Sequence, residues 1–270
     1  MGKFHGNPCW YELATSDGNL DAAGGFYAKV LGWNVRDSGR AGFDYHLAAS
    51  NGDMVAGLMA LPPDMGVPPH WKIYFAVDDV DQVVNEATAA GQEVHLPPMD
   101  VPDTGRIAVI SDPQGAVFGI LQPDISNMSP EQIAKAEAGD GTAFDQKKAG
   151  HGNWHELMTS DPQAALAFYG KLFGWQQSSA VDMGAMGTYQ LFSHKGADIG
   201  GAMGLGNSPV PTWLPYFGAN GVNATIDRIK SAGGTVHHGP QEVPGGAFIA
   251  IAQDPQGAWF AIVGPKEESQ

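Results

Sequence analysis

The chain has 270 residues, 43% of them hydrophobic, which is enough for a sizeable core, and its length suggests two domains. Its formal net charge of −15 argues against a nucleic-acid partner, because phosphate binding requires clustered Lys and Arg. No apolar run is long enough to span a bilayer, so no membrane partner is expected. A single cysteine and the lack of an apolar leader favour a cytoplasmic location.

The first 125 residues are predicted to alternate strands and helices. In chain order, the predicted elements are a strand over 10–15, a helix over 20–31, short strands over 45–48 and 54–59, a strand over 71–77, a helix from 80 to about 90, and strands over 106–111 and 117–121. Gly32 and Gly91 are the predicted helix stops. An Asp-Pro-Gln-Gly turn at 112–115 joins the last two strands. His95 is predicted to lie in a solvated loop after the second helix.

The same series returns in the second half of the chain. Trp10 recurs as Trp154, and the turn at 112–115 recurs at 254–257. Between the copies, a capping-box pattern predicts a short helix from Pro130 to about Ala138, followed by a polar stretch. We therefore predict one domain over residues 1–125, a linker over 126–150 and a second domain over 151–270. A repeat of this length indicates a duplicated domain and not a solenoid.

The motifs shared by the two copies resemble one known family. An Asp followed by Phe-Tyr and Gly-Trp at 17–33 returns at 161–175, and both Asp-Pro-Gln-Gly turns fit the pattern. The chain resembles the vicinal oxygen chelate superfamily, which includes glyoxalase I, bleomycin-resistance proteins, fosfomycin-resistance enzymes and extradiol dioxygenases. The resemblance implies an α+β fold with two tandem glyoxalase-like domains. Each would be a pair of βαβββ modules with curled sheets around a cavity.

The metal-ligand positions implied by this resemblance hold unsuitable residues. The aligned positions are Trp10 and Trp154 in the first strands, Lys72 and Leu214 in the middle strands, and Gly119 and Ala261 in the last strands. None of these side chains is an ordinary ligand of a divalent ion. We therefore expect neither the usual metal nor any other cofactor, and leave open a divalent metal at an atypical site.

Strand alternation predicts which side chains line the cavities. The apolar side of each strand is expected to face the helices, so the opposite side faces the cavity. The residues placed there are Trp10, Glu12, Lys72 and Tyr74 in the first copy, Trp154, Glu156, Leu214 and Tyr216 in the second, and Trp259 on a wall. His46 and Tyr45, on the second strand, are expected to reach the cavity mouth. His237 and His238 are predicted to lie in a loop, like His95.

These residue types suggest acid–base chemistry on a small organic molecule. The predicted catalytic residues are Glu12 and Glu156 as general bases, with Tyr74 and Tyr216 as proton donors. The predicted substrate-binding residues are Trp10, Lys72, Trp154, Trp259 and His46. A purely structural role remains open, in which each glutamate is satisfied by a tyrosine or by backbone N–H groups.

The preferred function is binding of a small, planar or cationic organic molecule without the usual metal, with turnover by Glu and Tyr. Two alternatives to this function remain open. The first alternative is a sequestering, resistance-type protein with no catalysis. The second is a metal-dependent lyase, isomerase or dioxygenase with atypical ligands. The chain is expected to be a monomer or a homodimer.

Overall fold

The computed structural model describes residues 2–16, 18–40, 44–62, 66–137 and 141–268. Asp17 of the shared motif and Ala138, the predicted end of the linker helix, lie outside these residues. Within the described ranges, no helix is long and apolar enough to cross a membrane.

The elements of the first half follow the predicted alternation. They are β1 (Pro8–Ser16), α1 (Leu20–Leu31), β2 (Asn34–Asp37), β3 (Tyr45–Ser50), β4 (Asp53–Leu61), β5 (His70–Ala76), α2 (Val80–Ala89), β6 (Val94–Val101), β7 (Gly105–Ser111) and β8 (Val117–Pro123). The linker contains α3 (Pro130–Glu137).

The second half repeats this series element by element. Its elements are β9 (Gly152–Thr159), α4 (Pro162–Phe173), β10 (Gln176–Asp182), β11 (Thr188–His194), β12 (Ala197–Gly204), β13 (Thr212–Gly218), α5 (Val222–Ser231), β14 (Thr235–Glu242), β15 (Phe248–Gln253) and β16 (Trp259–Gly264).

The first helix of each copy is bounded by residues that the sequence identifies. The Asp161 side chain caps α4 by accepting a hydrogen bond from Ala164 N at 3.0 Å, and Pro162 opens the first turn. Gly32 and Gly174 end α1 and α4 in the left-handed conformation, at φ 72° and φ 74°. Because residues with a Cβ are strained at such angles, glycine suits both stops.

Four edge strands depart from the prediction. β2, β6, β10 and β14 lie at the ends of their strand orders, and the placement of His95, His237 and His238 in loops is wrong. His95 lies in β6, and the other two histidines lie in β14. The register of both strands against their neighbours is interrupted by irregularities. Both strands contain proline and are only partly buried along their length, and proline is not typical of a strand interior.

Each βαβββ module contributes four hydrogen-bonded strands. The strand orders are β2-β3-β4-β1, β5-β8-β7-β6, β10-β11-β12-β9 and β13-β16-β15-β14. In the first module, parallel pairing of β1 with β4 sets Glu12 opposite Gly57. In the third, pairing of β9 with β12 sets Glu156 opposite Gly201. The equivalent registers confirm an α+β fold built from two tandem halves, each a pair of βαβββ modules.

Contacts group the chain into two compact units, each drawn from both halves. As far as they are described, unit 1 takes residues 1–9, 73–140 and 155–213, and unit 2 takes residues 10–72, 141–154 and 214–270. The core of unit 2 includes Tyr27 and Phe260, whose rings lie 5.4 Å apart. The core of unit 1 includes the equivalent Tyr169 and Phe118, also 5.4 Å apart. The domain boundaries near residues 125 and 151 remain a prediction.

Candidate functional site

Four side chains of unit 2 form a connected polar cluster, here called the Glu12 cluster (Trp10, Glu12, Tyr45 and Lys72). Lys72 Nζ lies 3.3 Å from Glu12 Oε1. The Tyr45 hydroxyl donates to Glu12 Oε2 at 3.3 Å and accepts a bond from Trp10 Nε1 at 3.0 Å. Glu12 is only 9% exposed, so these bonds form in a largely desolvated setting. Three of the four residues, Trp10, Glu12 and Lys72, are ones that the sequence placed in one cavity, on two different strands.

A glycine makes room for this cluster. Gly57 lies directly opposite Glu12 in the β1–β4 pairing. A Cβ added at Gly57 would lie 1.8 Å from the Tyr45 hydroxyl oxygen, which is far inside van der Waals contact. The Tyr45 ring therefore lies over the backbone of β4, where only glycine leaves space. This close approach places the hydroxyl beside Glu12.

The electrostatics of the cluster favour a protonated Tyr45. The Lys72 ammonium offsets the charge of the Glu12 carboxylate, and both side chains are mostly buried. Burial raises the pKa of Tyr45 well above its ordinary value, and the nearby Glu12 charge raises it further. Tyr45 is therefore a hydrogen-bond donor at neutral pH. Each carboxylate oxygen of Glu12 accepts one hydrogen bond, and these two bonds hold the Lys72 and Tyr45 side chains in place.

Tyr74 and Tyr216, the predicted proton donors, are not part of the Glu12 cluster. Tyr74 is buried in β5 and packs over Gly119, where an added Cβ would lie 2.2 Å from its ring. Tyr216 is buried in β13 opposite Ala261. The tyrosine bonded to Glu12 is Tyr45, which the sequence placed only at a cavity mouth. The signal that could have identified it is its recurrence in the second copy, together with a recurring glycine on the next strand.

His46 and Trp259 lie apart from the Glu12 cluster. His46 follows Tyr45 in β3, so it faces the opposite side of the strand, toward α1. A Cβ added at Gly24 of α1 would lie 3.9 Å from His46 Nδ1. Trp259 of β16 is 45% exposed, and its ring centroid lies 4.4 Å from that of His237.

The second copy repeats part of the arrangement, with Glu156, Gly201 and Tyr189 in unit 1 and Trp154 and Leu214 in unit 2. Glu156 is 8% exposed and faces Gly201 across the β9–β12 pairing. A Cβ added at Gly201 would lie 2.1 Å from the Tyr189 ring, the equivalent of Tyr45. Trp154, at the position equivalent to Trp10, is half-buried in β9. The position equivalent to Lys72 is Leu214, so the second copy has no ammonium group there.

The donors present do not fit the metal site that the fold family implies. Lys72 is paired with Glu12, and it is a cation at a position where a ligand is needed. Gly119 offers no side chain, and the Tyr74 ring fills the space that one would need. Among the described residues, no three His, Cys, Asp or Glu side chains are grouped as metal ligands would be.

Comparisons with known proteins place the chain in a family. A model of the Glyoxalase/Bleomycin resistance protein/Dioxygenase superfamily matches residues 12–120 and 151–262. The chain is 35% identical over 266 residues to CFP32 of Mycobacterium tuberculosis, a glyoxylase by name, covering 96% of this chain and 95% of that protein. It is 30% identical over 281 residues to the anthracycline biosynthesis protein DnrV of Streptomyces peucetius, covering 97% and 94%.

A solved structure shares the fold at low identity. The Mn(II)-bound glyoxalase from Novosphingobium aromaticivorans superimposes with a TM-score of 0.61 at 16% identity, covering 98% of this chain and 84% of that chain. This likeness concerns the fold alone. The family model, the two relatives and the repeated βαβββ modules agree that the chain belongs to the glyoxalase/bleomycin resistance protein/dioxygenase superfamily.

Proposed function

We propose that the Glu12 cluster binds a small, planar organic molecule through an oxygen atom and supports proton transfer there. The observation that carries this proposal is the hydrogen-bonded chain from Lys72 through Glu12 and Tyr45 to Trp10. Such a chain combines two polar donors with an aromatic surface in largely desolvated surroundings. Ligand sites commonly join a few directed polar groups to apolar walls in this way.

The polarity of the cluster favours one kind of ligand atom. Lys72 and Tyr45 both donate hydrogen bonds, and the Glu12 charge is already offset by Lys72. A carbonyl, phenolate or enolate oxygen suits these donors better than a cationic group does. The indole of Trp10 adds a flat surface for an aromatic ring. This narrows the expectation of a planar or cationic ligand to a planar one with an oxygen acceptor.

The names of the relatives agree with this ligand class. DnrV of Streptomyces peucetius and DauV of a Streptomyces strain are both named as anthracycline biosynthesis proteins. Anthracyclines are fused-ring aromatic compounds with carbonyl and hydroxyl oxygens. A planar oxygenated molecule is therefore the ligand class that we propose for this chain.

The binding part of the proposal is tested with anthraquinone-2-sulfonate as the probe. Titration calorimetry should show saturable binding to the wild-type chain, and weaker binding of naphthalene-2-sulfonate, which lacks the carbonyl oxygens. Lys72→Met, which mimics Leu214 of the second copy, should weaken anthraquinone binding by about one to two orders of magnitude, because a hydrogen bond from a charged donor contributes about 1.5–3 kcal/mol. Lys135→Met, at an exposed position on α3, is the control. Equal affinity of the wild type and Lys72→Met would contradict the proposal.

A binding protein without catalysis is the second candidate. The observation that favours it is that both oxygens of Glu12 already accept hydrogen bonds from Lys72 and Tyr45, so the carboxylate is engaged within the cluster. Deuterium exchange at the carbon beside the carbonyl of hydroxyacetone, followed by proton NMR in D2O, separates the two candidates. Faster exchange with the wild type than with Glu12→Gln supports proton transfer. If the wild type does not accelerate the exchange, the result supports binding without catalysis.

A further inference from the structure

A histidine that the Glu12 cluster does not use lies on the same strand as Lys72. His70 is the first residue of β5, two residues before Lys72, so alternation places both on one face. The side chain is half-buried. Both positions differ between the copies, because Thr212 and Leu214 stand 142 residues later. The first copy alone therefore has a histidine and a lysine at these two places.

The hydrogen bond of His70 fixes which ring nitrogen carries the proton. His70 Nδ1 lies 2.9 Å from the carbonyl oxygen of Pro68. A carbonyl oxygen only accepts, so Nδ1 is the donor in this contact. In the neutral ring, Nε2 then holds the lone pair and can accept a proton.

Charges from two elements act on His70. Burial is the main reason that the pKa of His70 falls below its ordinary value, and Lys72 on the same strand lowers it further. Glu12 on β1 acts in the opposite direction and stabilises the protonated ring. Near pH 7 the ring is neutral, and the nearby Glu12 carboxylate, although paired with Lys72, favours the protonated ring once a proton arrives.

We propose that Nε2 of His70 is the proton acceptor for the ligand of the Glu12 cluster. In this step a C–H or O–H bond of the ligand breaks, and its proton moves to Nε2. The bonding electron pair stays on the ligand and is delocalised onto the oxygen that Lys72 and Tyr45 bind. The reverse transfer restores the neutral ring. This inference rests on the proposed function and assigns its chemistry to the first copy.

Long-range proton–nitrogen NMR of the 15N-labelled chain tests the proposed state of His70 without any ligand. The resonances missing from His70→Asn identify the ring. The expected result is a neutral ring with the proton on Nδ1 at pH 7. Lys72→Met should raise the pKa of this histidine, and Glu12→Gln should lower it. A proton on Nε2, a charged ring at pH 7, or a pKa unmoved by both variants would overturn the proposal.

Chemical modification tests whether a ligand can reach Nε2. Diethyl pyrocarbonate acylates unprotonated imidazole nitrogens, and mass spectrometry of peptides reports the site. His70 should be modified at pH 7, whereas His151 and His155, both fully buried, are internal controls that should react far more slowly. An unreactive His70 would contradict the assignment. Neither measurement uses the anthraquinone probe, so failure here is distinguishable from failure of the proposed function.

Discussion

At the scale of single residues, the candidate site depends on a glycine, because the absence of a Cβ leaves space for a tyrosine ring. The Tyr45 hydroxyl reaches Glu12 because Gly57 has no Cβ, and Gly201 leaves the same space for Tyr189 in the second copy. The sequence does not show which side chain approaches either glycine. Sequence spacing cannot supply that identity, because the ring comes from the neighbouring strand.

Replacing Gly57 with alanine should displace Tyr45 from Glu12. The added methyl group would overlap the hydroxyl oxygen at 1.8 Å, and overpacking of this kind costs about 1–3 kcal/mol. Chemical denaturation measures the loss, and the anthraquinone titration measures the effect on binding. Gly204→Ala is the matched control, because nothing lies within 4 Å of a Cβ at that strand position. Similar stability losses for the two variants would contradict the steric account.

The residues of the Glu12 cluster were predictable to different degrees. Strand alternation placed Trp10, Glu12 and Lys72 together because the period of a strand is two and the repeat fixed the register. Tyr45 was not assigned to Glu12, since a hydrogen bond between strands depends on ring direction and local space. The state of His70 depends on the Pro68 carbonyl, a contact that no sequence pattern displays.

At the scale of elements, the shared motifs have a structural explanation. The Phe-Tyr pair of α1 and the Asp of the 254–257 turn meet in unit 2, where the Tyr27 hydroxyl donates to Asp254 Oδ2 at 3.0 Å. Trp71 Nε1 donates to the same hydroxyl at 2.8 Å. In unit 1, Tyr169 and Asp112 make the equivalent bond at 3.0 Å. These motifs therefore join a helix of one half to a turn of the other.

Removing one hydroxyl from this network should destabilise the fold. Tyr27→Phe would leave the buried Asp254 carboxylate and the Trp71 indole N–H without this partner, and unsatisfied buried groups cost about 1–3 kcal/mol. Urea denaturation followed by circular dichroism gives the difference. Tyr169→Phe is the matched variant in unit 1 and should lose a similar amount. If neither variant changes the free energy of unfolding, the two hydroxyls make no net contribution to stability.

The same aspartates should make stability depend on pH. Burial raises the pKa of Asp112 and Asp254 above 3.8, although their hydrogen bonds oppose this shift. The folded chain then holds protons that the unfolded chain has released, so their contribution falls as pH rises from about 3.8 through the raised values.

Substitution by asparagine removes this titration. The double variant Asp112→Asn/Asp254→Asn should lose less stability than the wild type as pH rises through that window, because asparagine carries no charge. Urea denaturation at several pH values gives both curves, and titrations common to both proteins cancel in the difference. A variant curve that falls as steeply as the wild-type curve would contradict the assigned pKa shifts.

At the scale of the whole molecule, the two sequence halves do not correspond to the two compact units. Each unit takes one βαβββ module from each half. The repeat and its helix stops predicted four βαβββ modules, and the structure confirms all four modules. The sequence could not show which modules pack together, because the apolar faces of equivalent modules are alike. The solvated edge strands were missed for a related reason, since burial creates the pattern that strand prediction requires.

A chain cut at the predicted domain boundary should not fold alone. Residues 1–125 supply only part of each compact unit, so the Tyr27 side of one core and the Phe118 side of the other would lose their packing partners. Circular dichroism should show no cooperative thermal transition for this fragment. Adding residues 126–270 should restore a transition if the halves assemble. A cooperative transition of the fragment as a monomer would contradict this expectation.

The most direct test of the Glu12 cluster as the ligand site is a crystal structure of the chain with anthraquinone-2-sulfonate. We expect a carbonyl oxygen of the probe within hydrogen-bond distance of Lys72 Nζ and the Tyr45 hydroxyl. The probe should be absent from crystals of Lys72→Met soaked at the same concentration. Binding of the probe only at the exposed Trp259, or unchanged occupancy in Lys72→Met, would contradict the claim.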